Sequence, residues 1–384
     1  MQWLDRKLGV MTHQPNKHIF RAEHVGSFVR PEKLITAARS HRAGTLTDDD
    51  FREIQDRCIV EIVNFQEEIG MPSITDGEYR RAVWSGGVIS ALEGMGVRNE
   101  GTLSFKNANR DVFIPPSPYA ETKLDRKHPI VADDFSYLKS LNPQGLPKVT
   151  IASPPVMHFF LGDGSFSKDV YPDRDAYFAD LASIYRDEIA DLAAAGCTYV
   201  QLDDTALPCN CDVSARDAVR ARGEDPEILT EAYISVINEA ISGRPENMTI
   251  GLHMCRGNLK GMWMGDGGYE PIAEKLFNNL NVDTYFMEYD TERSGDFAPL
   301  SHLPKGKLVV LGLISTKLPK LENRASINTR IEEAAKYTPL DQLSLSPQCG
   351  FSSGGGDGQV IDMTDTLRKL KLVVEIAEEV WGET

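Results

Sequence analysis

The stretch LASIYRDEIADLAAAGCTYVQLDDTA, residues 181–206, decides the fold. Its first half carries four apolar residues at intervals of four, four and three, which is the spacing along one face of an α-helix. They are Leu181, Tyr185, Ile189 and Leu192. A glycine then ends the helical pattern, and a β-rich run follows that finishes on polar residues. A helix that leads into such a run predicts one repeat of a parallel α/β sheet.

Eight β-rich runs of this kind occur along the chain, and most are followed by a helical pattern. They span residues 19–28, 73–79, 149–155, 199–206, 248–255, 285–290, 308–315 and 343–349. Eight strands form a barrel of the (βα)8 class, and 384 residues suit one such barrel with insertions. We therefore expect an α/β fold, a (βα)8 TIM barrel, over residues 19–384, preceded by an N-terminal arm over residues 1–18.

The connection after the second run is long. Residues 94–147 are rich in Gly, Asn and Pro and show no clean helix, so we expect an inserted excursion that serves as a lid or an interface element. Elsewhere a helix is predicted over residues 51–69, opened by Thr47 and Asp50 as an acidic variant of the capping box. A last helix is predicted over residues 365–381.

The composition is that of a globular protein, with 41% hydrophobic and 26% charged residues. The 57 acidic and 41 basic side chains give a formal charge of −16, which repels nucleic acids and anionic membrane surfaces. No stretch approaches the roughly 20 apolar residues of a transmembrane helix, and the first residues lack the apolar core of a secretory signal. We therefore expect a cytoplasmic protein without nucleic acid or membrane partners.

The six cysteines are too few for a disulfide scaffold, and a reducing compartment would keep them as thiols. Cys58 and Cys197 lie in apolar, helix-like surroundings and are interpreted as core residues. Cys209 and Cys211 are interpreted as loop cysteines, although their spacing resembles that of a ligand pair. The remaining two, Cys255 and Cys349, end predicted strands, where a thiol could bind a metal or take part in catalysis.

Polar residues cluster at the ends of the predicted strands. In barrels of this class the active site is assembled from the carboxyl ends of the strands. The polar residues found there are His24, Ser27, Asp76, Glu78, Asp203, Asp204, His253, Cys255, Glu288 and Cys349. Strand ends that only packed would be apolar or small, so this set is the candidate site.

A metal site is predicted from three members of this set. His253 and Cys255 stand two residues apart, so on an extended strand both side chains point to the same face. Cys349, at the end of another predicted strand, can add a second sulfur. One imidazole nitrogen and two sulfurs suit zinc, and a catalytic zinc keeps one position free for water or substrate.

These motifs resemble those of the cobalamin-independent methionine synthases, in the form of their C-terminal catalytic half within the uroporphyrinogen decarboxylase-like barrel superfamily. The resemblance covers nearly the whole chain and rests on HMC at residues 253–255, EYD from Glu288 and PQCGF around Cys349. In that family a His-X-Cys pair, a distant Glu and a Cys in a Cys-Gly context hold zinc. The resemblance therefore implies four metal ligands, which are His253, Cys255, Glu288 and Cys349.

The same resemblance points to residues that bind homocysteine. The VGSF run is similar to the family's Gly-Ser turn, which implies that Ser27 meets the substrate carboxylate. The DGE and DDTA runs are similar to segments near the amino group, which implies Glu78 and Asp203 as its contacts. Asp204 departs from the family's glutamate. His24, at the end of the first run, is a further substrate-binding candidate.

The implied reaction is methyl transfer to homocysteine, giving methionine. A thiol with a pKa of about 8.5 is mostly protonated at pH 7, whereas coordination to zinc deprotonates it and leaves a thiolate nucleophile. The methyl donor, a folate or another carrier, stays open, because the N-terminal half that helps complete synthases bind the folate tail has no counterpart in this sequence. A homo-oligomer also stays open.

Other interpretations remain. One is an alkyl-thiol transferase resembling epoxyalkane:coenzyme M transferase, whose thiol substrate has a sulfonate and no amino group. A decarboxylase of the porphyrin branch is disfavoured, because those enzymes need no zinc and use an arginine-rich cleft. In a non-enzymatic alternative, zinc only stabilises a binding module. At residue level, Glu78 and Asp203 could form structural ion pairs with Arg80 or Arg81. Ser27 could simply turn the chain after Gly26, and Lys317 could contact substrate or phosphate or be a solvated loop charge.

Overall fold

The computed structural model describes residues 18–107, 112–352 and 359–384. The arm predicted over residues 1–18 lies, apart from its last residue, outside the described residues. No helix in the described ranges is long and apolar enough to cross a membrane.

A parallel sheet of six strands forms the centre of the fold. The strands of the protein are β1 (Ser73–Ile74), β2 (Leu92–Arg98), β3 (Phe105–Lys106), β4 (Val112–Phe113), β5 (Ser117–Arg126), β6 (Leu146–Pro147), β7 (Val149–Ala152), β8 (Tyr199–Asp204), β9 (Thr249–Met254), β10 (Thr284–Glu288), β11 (Leu308–Ile314) and β12 (Leu343–Pro347). The main sheet has the order β12-β11-β10-β9-β8-β7, so neighbours in space are neighbours along the chain. Its strands are buried throughout, as expected for parallel strands covered by helices.

The first two predicted strands are shorter than the sequence predicted. In the first, Ala22 forms an isolated parallel bridge with Leu345 of β12. In the second, β1 has two residues, which pair in parallel with β6. The longer extents predicted for both are wrong because the chain turns at Gly26 and Gly77, whose φ angles of 123° and 70° lie outside the extended region.

These two short segments nevertheless lie where a (βα)8 barrel requires them. The first is bound to β12 at one edge of the main sheet, and β1 reaches the other edge, where the N–H of Lys148 donates to the carbonyl of Ile74 at 2.8 Å. They also contact each other, since the hydroxyl of Ser73 donates to Glu23 Oε2 at 2.8 Å. The predicted α/β class with a parallel sheet is confirmed, and the eight segments follow one another in the order of a TIM barrel.

The helices occupy the connections between the strands along the chain. They are α1 (Glu32–Arg42), α2 (Asp48–Ile69), α3 (Gly86–Ala91), α4 (Ala132–Ser140), α5 (Val156–Phe159), α6 (Arg174–Ala194), α7 (Ala206–Cys209), α8 (Val213–Ala221), α9 (Pro226–Ala240), α10 (Glu270–Asn279), α11 (Arg324–Ala334) and α12 (Met363–Trp381). The helices predicted before β8 and at the chain end are present as α6 and α12. The predicted cap of α2 is also present, because the Thr47 hydroxyl accepts the N–H of Asp50 at 3.1 Å.

The excursion over residues 94–147 contains more regular structure than the sequence predicted. β2 and β5 form an antiparallel pair, β3 pairs with β4, and the helix α4 comes after them. The sequence analysis predicted no helix in this segment. That prediction is wrong at α4, which buries Ala132, Phe135 and Leu138. With only three apolar positions buried in nine residues, this helix lacks the repeated pattern that identifies a longer one.

A buried ion pair joins the strands near their amino ends. The Lys148 ammonium lies 2.9 Å from Glu23 Oε2, and both side chains are almost fully buried. Glu23 also accepts the hydroxyl protons of Ser73 at 2.8 Å and Tyr199 at 2.6 Å. The pair therefore links the first segment to β1, β8 and the start of β7, and its polar atoms are well satisfied, as a buried charge requires.

We expect Lys148→Met to lower the free energy of unfolding by about 3–5 kcal/mol, because it leaves the Glu23 carboxylate buried without its cation. Urea unfolding of the purified protein measures the change. The control is Lys168→Met, which removes an exposed lysine 4.0 Å from Asp163 and should cost less than about 1 kcal/mol. Equal losses in the two variants would contradict the role given to the buried pair.

Candidate functional site

Three predicted metal ligands converge at the carboxyl ends of β9 and β12. His253 lies in β9, Cys255 comes directly after that strand, and Cys349 comes after β12. One donor atom from each lies within 4.8 Å of the others, and the two sulfurs are 3.7 Å apart. The spacing of two residues between His253 and Cys255 thus places both side chains on one side of the strand, as the sequence predicted.

The chemistry of this cluster fits a zinc ion. The His253 ring is 2% exposed, and apart from its approach to the Cys349 thiol neither of its nitrogens has a hydrogen-bond partner among the described residues. A buried polar group without a partner is costly, so the ring is suited to a ligand. The hydrogen bond from Cys255, together with nearby His253, lowers the pKa of the Cys349 thiol to about 5, although burial opposes the shift. An imidazole beside a thiolate and a second thiol is a zinc-binding set.

Glu288, the fourth predicted ligand, is held by cations and one peptide group in the described contacts. It ends β10 and is fully buried. Its Oε1 accepts the N–H of Arg256 at 2.6 Å, and its Oε2 lies 3.0 Å from Arg293 and 3.6 Å from Lys317. Burial alone would raise the pKa of Glu288, but Lys317 and Arg293 hold it at about 2. The carboxylate is therefore ionised beside the cluster.

Two of the predicted substrate contacts, Glu78 and Asp203, meet at Arg81. The Arg81 guanidinium lies 2.5 Å from Glu78 Oε1 and 3.4 Å from Asp203 Oδ2. Thr150 donates its hydroxyl to Glu78 at 2.8 Å, and Gln201 donates its amide to Asp203 Oδ1 at 2.7 Å. Both carboxylates are buried. The distances show that the structural ion pair with Arg81, which the sequence left as an alternative, is present.

The backbone at Glu78 is unusual. Its φ angle is 61°, in the left-handed region that residues other than glycine rarely adopt. The preceding Gly77 has a φ of 70°, and the N–H of Glu78 donates to the Asp76 carboxylate at 2.8 Å. Such strain is maintained only where the surrounding structure requires it, and it accumulates at functional sites.

Ser27 lies next to the loop that carries Cys349. The N–H of Ser352 donates to its hydroxyl at 3.4 Å, and the N–H of Phe351 donates to its carbonyl at 2.9 Å. A Cβ atom on Gly350 would overlap the Ser27 hydroxyl, so a larger residue after Cys349 would force the Ser27 side chain to move. The structure thus brings the predicted carboxylate contact to the side of the metal-ligand loop.

His24 lies among structural contacts in this structure. It is almost fully buried, its Nε2 is 3.0 Å from the carbonyl of Ser73, and its ring packs against Phe28 with centroids 5.3 Å apart. Burial and the nearby Lys148 hold the pKa of His24 well below its usual value. No described contact joins it to Glu78 or the other site residues, and its role in substrate binding stays a prediction.

Residues 20–379 match the sequence model of the family described as the catalytic domain of the cobalamin-independent synthase. The chain belongs to this family.

Relatives within this synthase family cover the chain almost end to end. The uncharacterized protein YxjH of Bacillus subtilis is 39% identical over 377 residues, which is 97% of this chain and 98% of the relative. A methionine synthase of Pyrococcus abyssi is 25% identical, with 85% of each chain aligned. The crystal structure titled as a putative vitamin-B12 independent methionine synthase from Listeria monocytogenes superposes with a TM-score of 0.74 at 35% identity, covering 95% of this chain and 98% of that one.

The sequence alone did not identify several residues that surround the candidate site of this chain. Gln201 stands two positions before Asp203 on β8, so the alternation of a strand predicts that both face the same side and would have identified it. Arg293 lies in a short 3-10 helix after β10, and Arg256 lies in the irregular loop after β9, where no periodicity indicates direction. Arg256 reaches Glu288 from a neighbouring connection, whereas Arg293 returns to it from five positions later in the same one.

A second cluster, outside this site, consists of His158, Asp163 and Glu224, whose ligand atoms also lie within 4.8 Å of one another. Here Arg222 and Arg174 both lie against the Glu224 carboxylate. Because these cations neutralise the negative charge, we interpret the cluster as an ion-pair network. Among the described residues Cys209 and Cys211 join neither cluster, and both are buried.

His24 should make folding sensitive to acid. Since its pKa in the folded protein lies below the unfolded value of about 6.5, its contribution to stability is complete above that pH and is lost as the pH falls. Between pH 6.5 and 5.5 we expect His24→Gln to lose about 1 kcal/mol less unfolding free energy than the parent. Urea unfolding at both pH values measures this difference. The exposed-histidine variant His128→Gln should behave like the parent, and identical losses in all three proteins would rule out the effect.

Proposed function

We propose that this protein methylates the thiol of homocysteine to give methionine, with zinc held by His253, Cys255, Cys349 and Glu288. The observation that carries the proposal is the buried His253 ring, which faces two cysteine sulfurs at the carboxyl rim of the sheet and has no other hydrogen-bond partner within the described part of the chain. Membership of the cobalamin-independent synthase family supports the same chemistry. The proposal takes residues 19–384 as one catalytic unit and the excursion over residues 94–147 as part of its mouth.

The protein's own charges would support a metal-bound thiolate. When bound, zinc supplies a Lewis acid that keeps a coordinated thiol deprotonated at neutral pH. Two cysteine thiolates and Glu288 bring three negative charges to the site, and Arg293 and Lys317 lie against the Glu288 carboxylate. These cations balance the buried negative charge without becoming ligands, because ammonium and guanidinium groups have no free lone pair at neutral pH.

The amino acid end of the substrate would lie against Asp203 and Ser27. Asp203 Oδ1 is occupied by the Gln201 amide, whereas the described contact of its Oδ2 is the 3.4 Å approach of Arg81. This oxygen therefore has room for a substrate ammonium. Glu78 is bound by Arg81 and Thr150. It would contact the substrate ammonium together with Asp203. The methyl donor in this proposal is a methylated folate or another methyl carrier.

A second candidate is alkyl transfer to a thiol that has no amino group, such as coenzyme M. The observation that favours it is Arg81, which already gives both Glu78 and Asp203 a cationic partner. An amino group is then not needed to neutralise these buried carboxylates. The two candidates share the metal site and differ in how the distal end of the thiol is held.

Removal of either zinc-site thiol should remove the metal. We expect the purified protein to carry about one zinc per chain, and Cys255→Ser and Cys349→Ser to lose it, because a hydroxyl is a far poorer donor than a thiolate. Metal analysis by mass spectrometry after dialysis gives the stoichiometry. Cys58→Ala, which alters a buried cysteine of α2, is the control and should keep its zinc. Full zinc content in both serine variants would refute the site.

Asp203→Asn should separate substrate recognition from metal binding. We expect it to weaken homocysteine binding by about 1.5–3 kcal/mol, the scale of one charge-assisted hydrogen bond, while the zinc content stays unchanged. Isothermal titration of the zinc-loaded protein with homocysteine and with coenzyme M measures both affinities. Coenzyme M, which lacks the amino group, should bind parent and variant nearly alike. Unchanged homocysteine affinity in the variant would favour the second candidate.

A further inference from the structure

Strand β3 of the excursion lies on the loop that comes after the metal-ligand strand β9. Lys106 and Trp263 exchange two backbone hydrogen bonds, at 2.7 and 2.9 Å. Phe105 is buried beside Gly257, where a Cβ atom would lie 2.9 Å from its ring. Gly257 has a φ angle of 90°, so this close approach and the turn both require glycine. The excursion is therefore fitted to this loop by backbone pairing and by shape.

Three charged side chains stabilise the same contact. The Lys106 ammonium lies 3.0 Å from Asp266 and 3.1 Å from Asp212. Asp212 in turn accepts the N–H of Asp266 at 2.8 Å and caps α8 by accepting the N–H of Ala215. One lysine of the excursion thus ties together the loops that come after β8 and β9.

The loop beneath β3 supplies the groups that hold the metal ligands. The N–H of Gly257 donates to Cys255 Sγ at 3.3 Å, and the N–H of Arg256 donates to Glu288 Oε1 at 2.6 Å. The carbonyl of Arg256 accepts the N–H of Met264 at 2.8 Å, which joins the two ends of the loop. Two ligands of the candidate centre are therefore oriented by peptide groups on which β3 rests.

The loop beneath β3 also holds Arg293. Its guanidinium lies 5.7 Å from the centre of the Trp263 ring and donates to the carbonyl of Gly265 at 3.2 Å. Its carbonyl accepts the N–H of Gly267 at 2.9 Å. The same guanidinium lies 3.0 Å from Glu288 Oε2. Contacts thus run without a gap from Lys106 through Trp263 and Arg293 to Glu288.

We infer that Lys106 and Phe105 of the excursion are positioning residues for the metal centre, because docking of β3 fixes the loop donors and Arg293 that orient Cys255 and Glu288. The excursion then does more than cover the mouth. Its docked position sets how firmly the centre holds zinc, so that any event that lifts β3 also loosens the metal ligands. This inference rests on the proposed zinc site.

The test measures metal affinity in the full-length protein. Asp266→Asn removes one ion pair of Lys106 at a partly exposed position, where folding should be preserved. Lys106→Met, tested separately, removes both pairs, and the buried Asp212 then keeps only its hydrogen-bond donors, so its stability is measured alongside. We expect each to lower zinc affinity about threefold to tenfold in competition with a chromophoric chelator. This is less than the roughly tenfold to hundredfold typical of residues that hydrogen-bond a metal ligand directly, because Lys106 acts through an intervening loop. Lys106→Arg should restore most of the affinity. Lys123→Met, which removes an exposed lysine of β5 from the same excursion, should bind zinc like the parent.

A cobalt(II) spectrum separates positioning from general stabilisation. We expect the visible bands of both cobalt-loaded variants to shift from those of the parent, while the thermal midpoint of the metal-free Asp266→Asn protein, which alters only a partly exposed residue, stays the same. Unchanged zinc affinity and unchanged spectra in both Lys106→Met and Asp266→Asn would overturn the inference, as would a loss fully explained by a lower metal-free midpoint. If the parent itself binds no zinc, the proposed function fails; if the parent binds zinc and the variants match it, only this inference fails.

Discussion

All six strands of the main sheet run in the same direction, and the site depends on this constraint. Because the strands are parallel, their carboxyl ends share one rim, and residues far apart in the chain meet there. Cys255 and Cys349 are separated by 94 positions, yet their sulfurs are 3.7 Å apart. His253 pairs in register with Asp203 on the next strand, which brings the candidate metal cluster beside the candidate substrate cluster. An antiparallel arrangement would send half of these residues to the opposite rim.

Two buried carboxylates at this rim are each neutralised by an arginine that follows closely in the chain. Glu78 is paired with Arg81, three positions later, and Glu288 with Arg293, five positions later. In each case the acid lies where a strand or turn ends, and the guanidinium returns from the next segment of the chain. A buried carboxylate stays ionised only with such a partner, and arginine keeps its charge when it is buried. The local chain thus supplies the counterion before any ligand binds.

Periodic features of the fold and of the site could be predicted from the sequence. Strand alternation predicted that His253 and Cys255 share a face, and helical spacing predicted α6, whose predicted apolar face is buried. The length of the first two strands was not predictable, because a β-rich composition does not reveal where Gly26 and Gly77 turn the chain. The contacts of Arg293 with Trp263 and Gly265 were also out of reach, because they arise from two connections that fold against each other rather than from a repeating pattern.

The ion pair of Lys148 and Glu23 lies toward the amino ends of the strands, whereas the candidate site lies at their carboxyl ends. The two demands on the chain, to stay folded and to recognise a reactant, are therefore carried by different sets of residues. Descendants of this gene can accumulate changes in the rim loops while the opposite end preserves the scaffold. This separation allows one architecture to diversify into catalysts that accept different acceptors and donors.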